Sequence, residues 1–285
     1  MYYLYKIGQF IALVCPLKIA YFIATFVASI YYFFSVKDRE ALIKNIKMVL
    51  KEKSDDKLFE FYAKSVFINF AKYLVDFCRF SKLDKNYIEK FVDMEGREYI
   101  DEALKNKKGA IILSSHMGNW ELGAAVVSSL GYPLHVIALD HADKRVNDFF
   151  IKQRGSKGVG VISIGIALKK CFKVLKNNEL LAILGDRDFS EKGERIQFFG
   201  KETLIPKGPA VFSLRTGAPI IPTFILRQKS NRFKFIFEKP INYQPTDNEE
   251  NDVKTLISSY IGVIEQYIRK YPDQWYVFRN IWNEV

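Results

Sequence analysis

Apolar residues crowd the start of the chain. From Ile19 to Val36, 18 residues carry no charge, just the length that crosses a hydrocarbon core. Lys6 and Lys18 precede this run, and Lys37, Arg39, Lys44 and Lys47 follow it. Tyr31, Tyr32, Phe33 and Phe34 near its end suit the headgroup level of a bilayer. The pattern predicts a membrane-anchoring helix within residues 1–36, either spanning once or lying in the interface, with a buried core helix as the competing reading. It does not read as a cleaved signal peptide, because the apolar stretch is too long and aromatic and no A-x-A-like site follows. If the helix spans, the basic residues after it put the body on the cytoplasmic side of the plasma (inner) membrane.

Further along, the periodicity changes. Leu58, Tyr62, Val66, Phe70, Tyr73, Leu74 and Phe77 recur at the helical period, which predicts an amphipathic packing helix in a helical region spanning 37–108. From 109 onward short apolar runs alternate with helix-like stretches. The runs are 109–115, 134–139, 161–164 and 180–184, then 219–226 and 233–237 across the polar turn 228–232; residues 166–176 read as a helix, and so do 253–270. Strands alternating with helices predict an α/β fold with a mixed, mainly parallel sheet flanked by helices. No linker-like composition divides 37–108 from 109–285, so the two form one continuous domain behind the anchor.

Composition narrows the partners. Of 285 residues 49% are hydrophobic, and 43 Lys and Arg face 32 Asp and Glu for a net charge of +11. This excludes general disorder and points to an anionic partner: nucleic acid, a membrane surface or an acidic protein. Between 111 and 235 lie 19 basic and 10 acidic residues, so most of the excess sits on the α/β body. The three cysteines, Cys15, Cys78 and Cys171, are too few and too scattered for a disulfide framework. No nucleic-acid module, dinucleotide fingerprint or serine-hydrolase elbow is present.

The candidate chemistry centres on SSHMGNWELG, in which His116 directly follows the run 109–115. A residue at the carboxyl end of a parallel strand stands where open α/β sheets bind ligands. Histidine exchanges a proton near neutral pH, and Glu121, five residues on, is placed to fold back onto the imidazole. By spacing alone a structural histidine beside a helix-start glutamate is the more frequent case.

The wider pattern adds to this. SSHMGNWELG resembles the H-x4-D/E motif of the lysophospholipid acyltransferase superfamily, in the HxGNWE form of its lipid A biosynthesis branch. DRDFSEKGERIQFFG (186–200), LIPKGPAVFSLRTGAPIIP (204–222) and YPDQWYVFRNIW (271–282) are similar to the later blocks of that branch, in the same order. The resemblance implies a membrane-associated enzyme that moves a fatty acyl group from an acyl carrier protein or CoA thioester to a hydroxyl of an anionic glycolipid, most specifically a lipid A precursor. His116 is then the general base and Glu121 its partner, so Glu121→Ala is expected to cost less activity than His116→Ala. The thioester is already activated, so no metal or further cofactor is expected.

Asn119, Arg154, Asp186, Arg187, Asp188, Lys207 and Gly208 are the candidate substrate-binding residues. Arg154 lies in a loop-like basic stretch and resembles an arginine that the family places near the acceptor. Asp186, Arg187 and Asp188 follow the run 180–184, where two acids flank and position an arginine; no histidine or third carboxylate stands at metal-ligand spacing. Lys207 and Gly208 lead into a helix whose N-terminus suits an anion. The Asp-Arg-Asp run also looks like mycobacterial-type phosphatidylinositol mannoside acyltransferases, which leaves a second acceptor class open. A non-catalytic membrane-binding protein of the same fold is the alternative from another class.

Overall fold

The structure, a computed structural model, describes all residues except 52–54, 165–166, 190–191 and 283–285. Four helices come first: α1 (Tyr2–Val14), α2 (Leu17–Phe34), α3 (Val36–Leu50) and α4 (Asp56–Cys78). Then follow α5 (Lys85–Phe91), β1 (Val92–Glu95), α6 (Glu98–Lys105), β2 (Ala110–Ser114), α7 (Trp120–Ser129), β3 (Leu134–Ala138) and α8 (Lys144–Gly155). The chain continues with β4 (Gly160–Ser163), α9 (Ala167–Lys176), β5 (Leu180–Leu184), the hairpin β6 (Glu194–Phe198) and β7 (Lys201–Ile205), and α10 (Gly208–Thr216). It closes with β8 (Ile220–Arg227), β9 (Phe233–Phe237) and α11 (Glu249–Lys270).

Seven strands form one sheet in the order β1-β9-β8-β2-β5-β3-β4. Every neighbouring pair in it is parallel except β8 and β9, which the turn 228–232 joins as an antiparallel hairpin. The mixed, mainly parallel α/β architecture is therefore as the alternation predicts. Two differences stand out. β1 is a strand inside the stretch read as helical; it is four residues long, too short for a two-residue period to register. The apolar N-terminus is two helices broken at Pro16, whose ring removes the N–H that a continuous helix needs at this point.

Alternation along the strands builds a core on each face of the sheet. On β2, Ile111 and Leu113 join the cluster under α9, α10 and α11, while Ala110 and Ile112 join the cluster under α6, α7 and α8. A third cluster binds α2, α3 and α4 together through Tyr32, Leu42, Ile46, Phe59 and Phe67. Here α2 runs antiparallel along α4: Tyr31 and Tyr32 pack on Phe67 near one end, and Tyr21 reaches Asp76 near the other. The opposite side of α2 exposes Phe22, Phe26, Val27, Ile30 and Phe33, and α1 exposes Leu4, Ile7, Phe10 and Val14. Among the described residues α2 is the one helix long and apolar enough to cross a membrane.

After β2 the chain turns sharply at Gly118, which has φ +62. A Cβ built on Gly118 lies 2.0 Å from the carbonyl oxygen of Ile225 in β8, so only glycine lets the loop lie flat on that strand. The loop is also stitched down by Asn119 N–H donating to Ile225 O (2.9 Å) and Gly118 N–H donating to Gln274 O (2.8 Å). Gly118→Ala is expected to lower unfolding free energy by ~2 kcal/mol or more, the cost of a left-handed non-glycine plus displacement of the loop. Urea denaturation checks this, and a change below ~0.5 kcal/mol contradicts it.

Candidate active site

Parallel pairing places two side chains beside each other. β2 and β5 are in register with Ser114 opposite Leu184, and Gly185 N–H donates to Ser114 O (2.8 Å) beyond the last pair. Two residues past each strand end come His116 and Asp186. His116 Nδ1 lies 2.8 Å from Asp186 Oδ1, and the His116 backbone N–H is 3.1 Å from both carboxylate oxygens. The indole N–H of Trp275 donates to Asp186 Oδ2 (2.9 Å). Asp186 is fully buried, while His116 keeps 18% of its side chain exposed. Burial alone would raise the Asp186 pKa; His116, Trp275 and Arg187 outweigh it, and the net shift is below the ordinary 3.8. A carboxylate so held fixes the tautomer with a proton on Nδ1 and leaves Nε2 as the basic nitrogen.

This corrects the expected pairing of His116 with Glu121. Glu121 sits in the first turn of α7, buried at 4% exposure, and pairs with Arg154 through Nε (3.0 Å) and Nη2 (2.6 Å). Gly118 and the cap of α7 swing the helix start away from the strand end, so its side chain meets α8 instead of the imidazole. Arg154 is thus on a helix rather than in a loop, and its fork is engaged by a carboxylate of the chain. Burial opposes the charge of Arg154, but the adjacent Glu121 prevails and its pKa is raised. Removing either partner would strand a buried charge, a loss of ~3–5 kcal/mol. The expectation that Glu121→Ala costs less because Glu121 merely orients His116 therefore has no geometric basis.

Asn119 also moves out of the substrate-binding set. It is 1% exposed, caps α7 by accepting from Leu122 N–H (3.1 Å), and donates to Asp76 (2.8 Å). The remaining candidates converge. Arg187, Asp188, Lys207 and Gly208 line the same cavity of about 560 Å³ as His116, Glu121 and Arg154. Its mouth is polar, with Lys192 and His141 beside these residues, and Lys207 and Gly208 open α10 there. Its interior is apolar, running between α7 and the sheet past Ile112, Val127, Val136 and Ala182. Ile112, Ala182 and Val136 are register partners across β2, β5 and β3, two steps below Ser114 and Leu184. From His116 down to Ile112 is four residues, a depth of roughly 13 Å at the strand rise.

Three contributors escaped the sequence reading. Trp120 and Phe189 flank the His116 ring edge-on, at 5.5 and 5.9 Å between centroids, and Trp275 holds Asp186. Trp275 lies in the QW pair of the tail, visible as a motif but without an assignable partner until the fold brings it under β5. Among the described residues, no group of three or more His, Cys, Asp or Glu side chains converges as a metal site would require.

The depressed Asp186 pKa has a definite sign. Stability that depends on the carboxylate is present above about pH 4 and is lost as pH falls through the lowered value. Asp186→Asn is expected to destabilise the fold by ~1–3 kcal/mol at pH 7, with the gap to the parent protein narrowing once pH falls through the lowered value. Denaturation across pH tests this, and a gap that widens as pH falls contradicts it.

Over 219 residues the chain is 23% identical to a phosphatidylinositol mannoside acyltransferase of Mycolicibacterium smegmatis, covering 75% of this chain and 70% of that one. It is 25% identical to the enzyme of the same name from Mycobacterium tuberculosis (strain H37Rv), covering 66% of this chain and 58% of that protein. It is 23% identical to the lipid A biosynthesis palmitoleoyltransferase of Escherichia coli K12, covering 66% and 60%. Residues 1–284 match the family described as bacterial lipid A biosynthesis acyltransferase. With that match running the length of the sheet, the His116 loop and the tail that supports it, the chain belongs to the bacterial lipid A biosynthesis acyltransferase family.

Proposed function

We propose that this chain transfers a fatty acyl group from an acyl carrier protein or CoA thioester to a hydroxyl of an anionic glycolipid, with His116 as general base and Asp186 as its partner. The observation that carries the reading is the His116–Asp186 pair at the mouth of a deep apolar cavity. His116 Nε2 takes the proton of the acceptor hydroxyl; the oxygen attacks the thioester carbonyl; the tetrahedral oxyanion collapses and the thiolate leaves, taking up a proton. Asp186 stabilises the imidazolium formed in between. The thioester supplies its own leaving group, so the scheme uses no covalent enzyme intermediate. The acyl chain lies between α7 and the sheet, and the basic mouth receives the anionic portions of donor and acceptor.

Relatives divide between phosphatidylinositol mannoside and lipid A acyltransferases, so the acceptor is stated as a glycolipid, of which a lipid A precursor and a mannosylated phosphoinositide are the two forms to test. A non-catalytic binding role is disfavoured by a fully buried carboxylate that meets both the backbone N–H and the ring of His116, with the Trp275 indole donating to its other oxygen. Because α4 occupies one side of α2 along its length, we place α1 and α2 in the membrane interface, with the exposed apolar side in the acyl region and the body on the cytoplasmic face of the inner membrane.

His116→Ala protein, purified from a host lacking such an enzyme, is expected to lose at least ~10²-fold in acyl transfer; activity within threefold of the parent removes His116 from the chemistry. Mass spectrometry of the lipids it modifies identifies the acceptor. Ala182→Leu fills the deep end of the cavity and is expected to move the preferred donor to acyl chains shorter by ~2–4 carbons at the depth given by the strand rise. Competition between donors of different length measures this, and an unchanged preference shows that the chain lies elsewhere.

A further inference from the structure

One buried polar cluster has no part in this scheme. Asp76 of α4 and Arg227 at the end of β8 form an ion pair, with side chains 2% and 5% exposed. Tyr21 of the apolar helix α2, itself 5% exposed, donates its hydroxyl proton to Asp76 Oδ1 and accepts from Arg227 Nη1 at 3.0 Å. Asp76 Oδ2 accepts from Arg227 Nη2 and from the side-chain amide of Asn119. Arg227 also lies over the rings of Tyr21 and Phe233, at 5.0 and 4.7 Å, while its Nε has no hydrogen-bond partner among the described residues. Such a cluster is costly: a well-packed apolar replacement often serves stability as well or better.

We propose that Tyr21, Asp76 and Arg227 are positioning residues that fix the His116 loop through Asn119, so that docking of the apolar helix α2 on the body is required for full turnover. Asn119 is the link. One end of its side chain caps α7 at Leu122 N–H, and the other is held by Asp76. Its backbone N–H is fixed on Ile225, two residues before Arg227. The Arg227 main chain in turn clasps the Gln274 side-chain amide, its N–H donating to Oε1 and its carbonyl accepting from Nε2, at 2.9 Å each. Gln274 O receives Gly118 N–H, and Tyr276 N–H donates to His116 O at 2.7 Å. The backbone bonds from Gly118 and Asn119, and the Asn119 side chain, thus meet this cluster or its immediate neighbours, while Asp186, Trp120 and Phe189 hold the His116 ring from elsewhere. Tyr21 is the contribution of α2, the helix whose other side carries the exposed aromatic residues. Burial, with Asp76 beside it, pushes the Tyr21 hydroxyl far above its ordinary range, so it stays a donor. A loop misplaced by ~1 Å is enough to cost ~10²-fold in rate.

The inference rests on the acyltransferase reading only for its kinetic arm. Tyr21→Phe in the full chain removes one hydroxyl and leaves the exposed side of α2 intact. The expected result is unchanged co-sedimentation with anionic vesicles, amide hydrogen exchange faster by about tenfold in residues 116–123, and kcat reduced about tenfold with KM within twofold. Asn119→Ser keeps a capping oxygen but drops the donor to Asp76. Because it acts through the same link, its effect on kcat should not add to that of Tyr21→Phe in the double variant. A Phe26→Ser variant should do the reverse of Tyr21→Phe, weakening vesicle binding with exchange in 116–123 unchanged. Unchanged exchange and kcat in Tyr21→Phe, or additive effects with Asn119→Ser, overturn the proposal. Parent protein without acyl transfer would instead refute the functional reading, and the exchange comparison would still decide the link.

Discussion

The structure turns on the parallel register of β2 and β5. Because Ser114 stands opposite Leu184, the next inward-facing positions, 116 and 186, leave the sheet side by side at its carboxyl edge. This is the place where an open α/β sheet leaves a crevice. A histidine and an aspartate there meet at 2.8 Å without any long side-chain reach, and the ordering entropy has already been met by strand pairing. The same register layers Ile112, Ala182 and Val136 beneath them, so the chemistry and the apolar cavity share one scaffold. Shifting either strand by one residue would turn its own functional side chain to the opposite face and part the pair.

Two buried ion pairs surround this centre, and each does something different. Glu121–Arg154 ties α7 to α8 at the cavity wall, so a family-typical carboxylate next to the histidine acts as a strut. Asp76–Arg227 ties the N-terminal helices to the far side of the loop. Both are poor bargains for stability alone but specify geometry, since a charge in a dry interior has few acceptable partners. The loop between them has little freedom. It is pinned by Asp186 in front, β8 and the tail below, and Asn119 behind, as the general-base role proposed for His116 requires if Nε2 is to meet a hydroxyl at hydrogen-bond distance.

Much of the fold was legible from local pattern. The strand at 180–184, the amphipathic helix over 58–77 and the turn at 228–232 emerge where the periodicities put them, because burial on one or both faces leaves its mark in sequence. The helix read over 166–176 begins at Ala167 among the described residues. What did not show was contact between distant segments. Asp186 is legible as an acidic strand-end residue, but its pairing with His116 depends on β5 lying next to β2, a neighbour relation that no local signal encodes. The five-residue spacing and the H-x4-D/E motif pair Glu121 with His116, yet the left-handed turn at Gly118 sends it to Arg154. Trp275 and Asp76 show no partner in sequence for the same reason: Trp275 meets Asp186 across 89 residues, and Asp76 meets Arg227 across 151.

Asp186, and not Glu121, holds the His116 imidazole with its proton on Nδ1. Nitrogen-15 NMR of the His116 ring reads this directly at a pH where the ring is neutral. The account predicts the Nδ1–H tautomer in the parent protein and in Glu121→Gln wherever that variant stays folded, with loss of this preference in Asp186→Asn. A ring whose tautomer follows Glu121 and ignores Asp186 would contradict it.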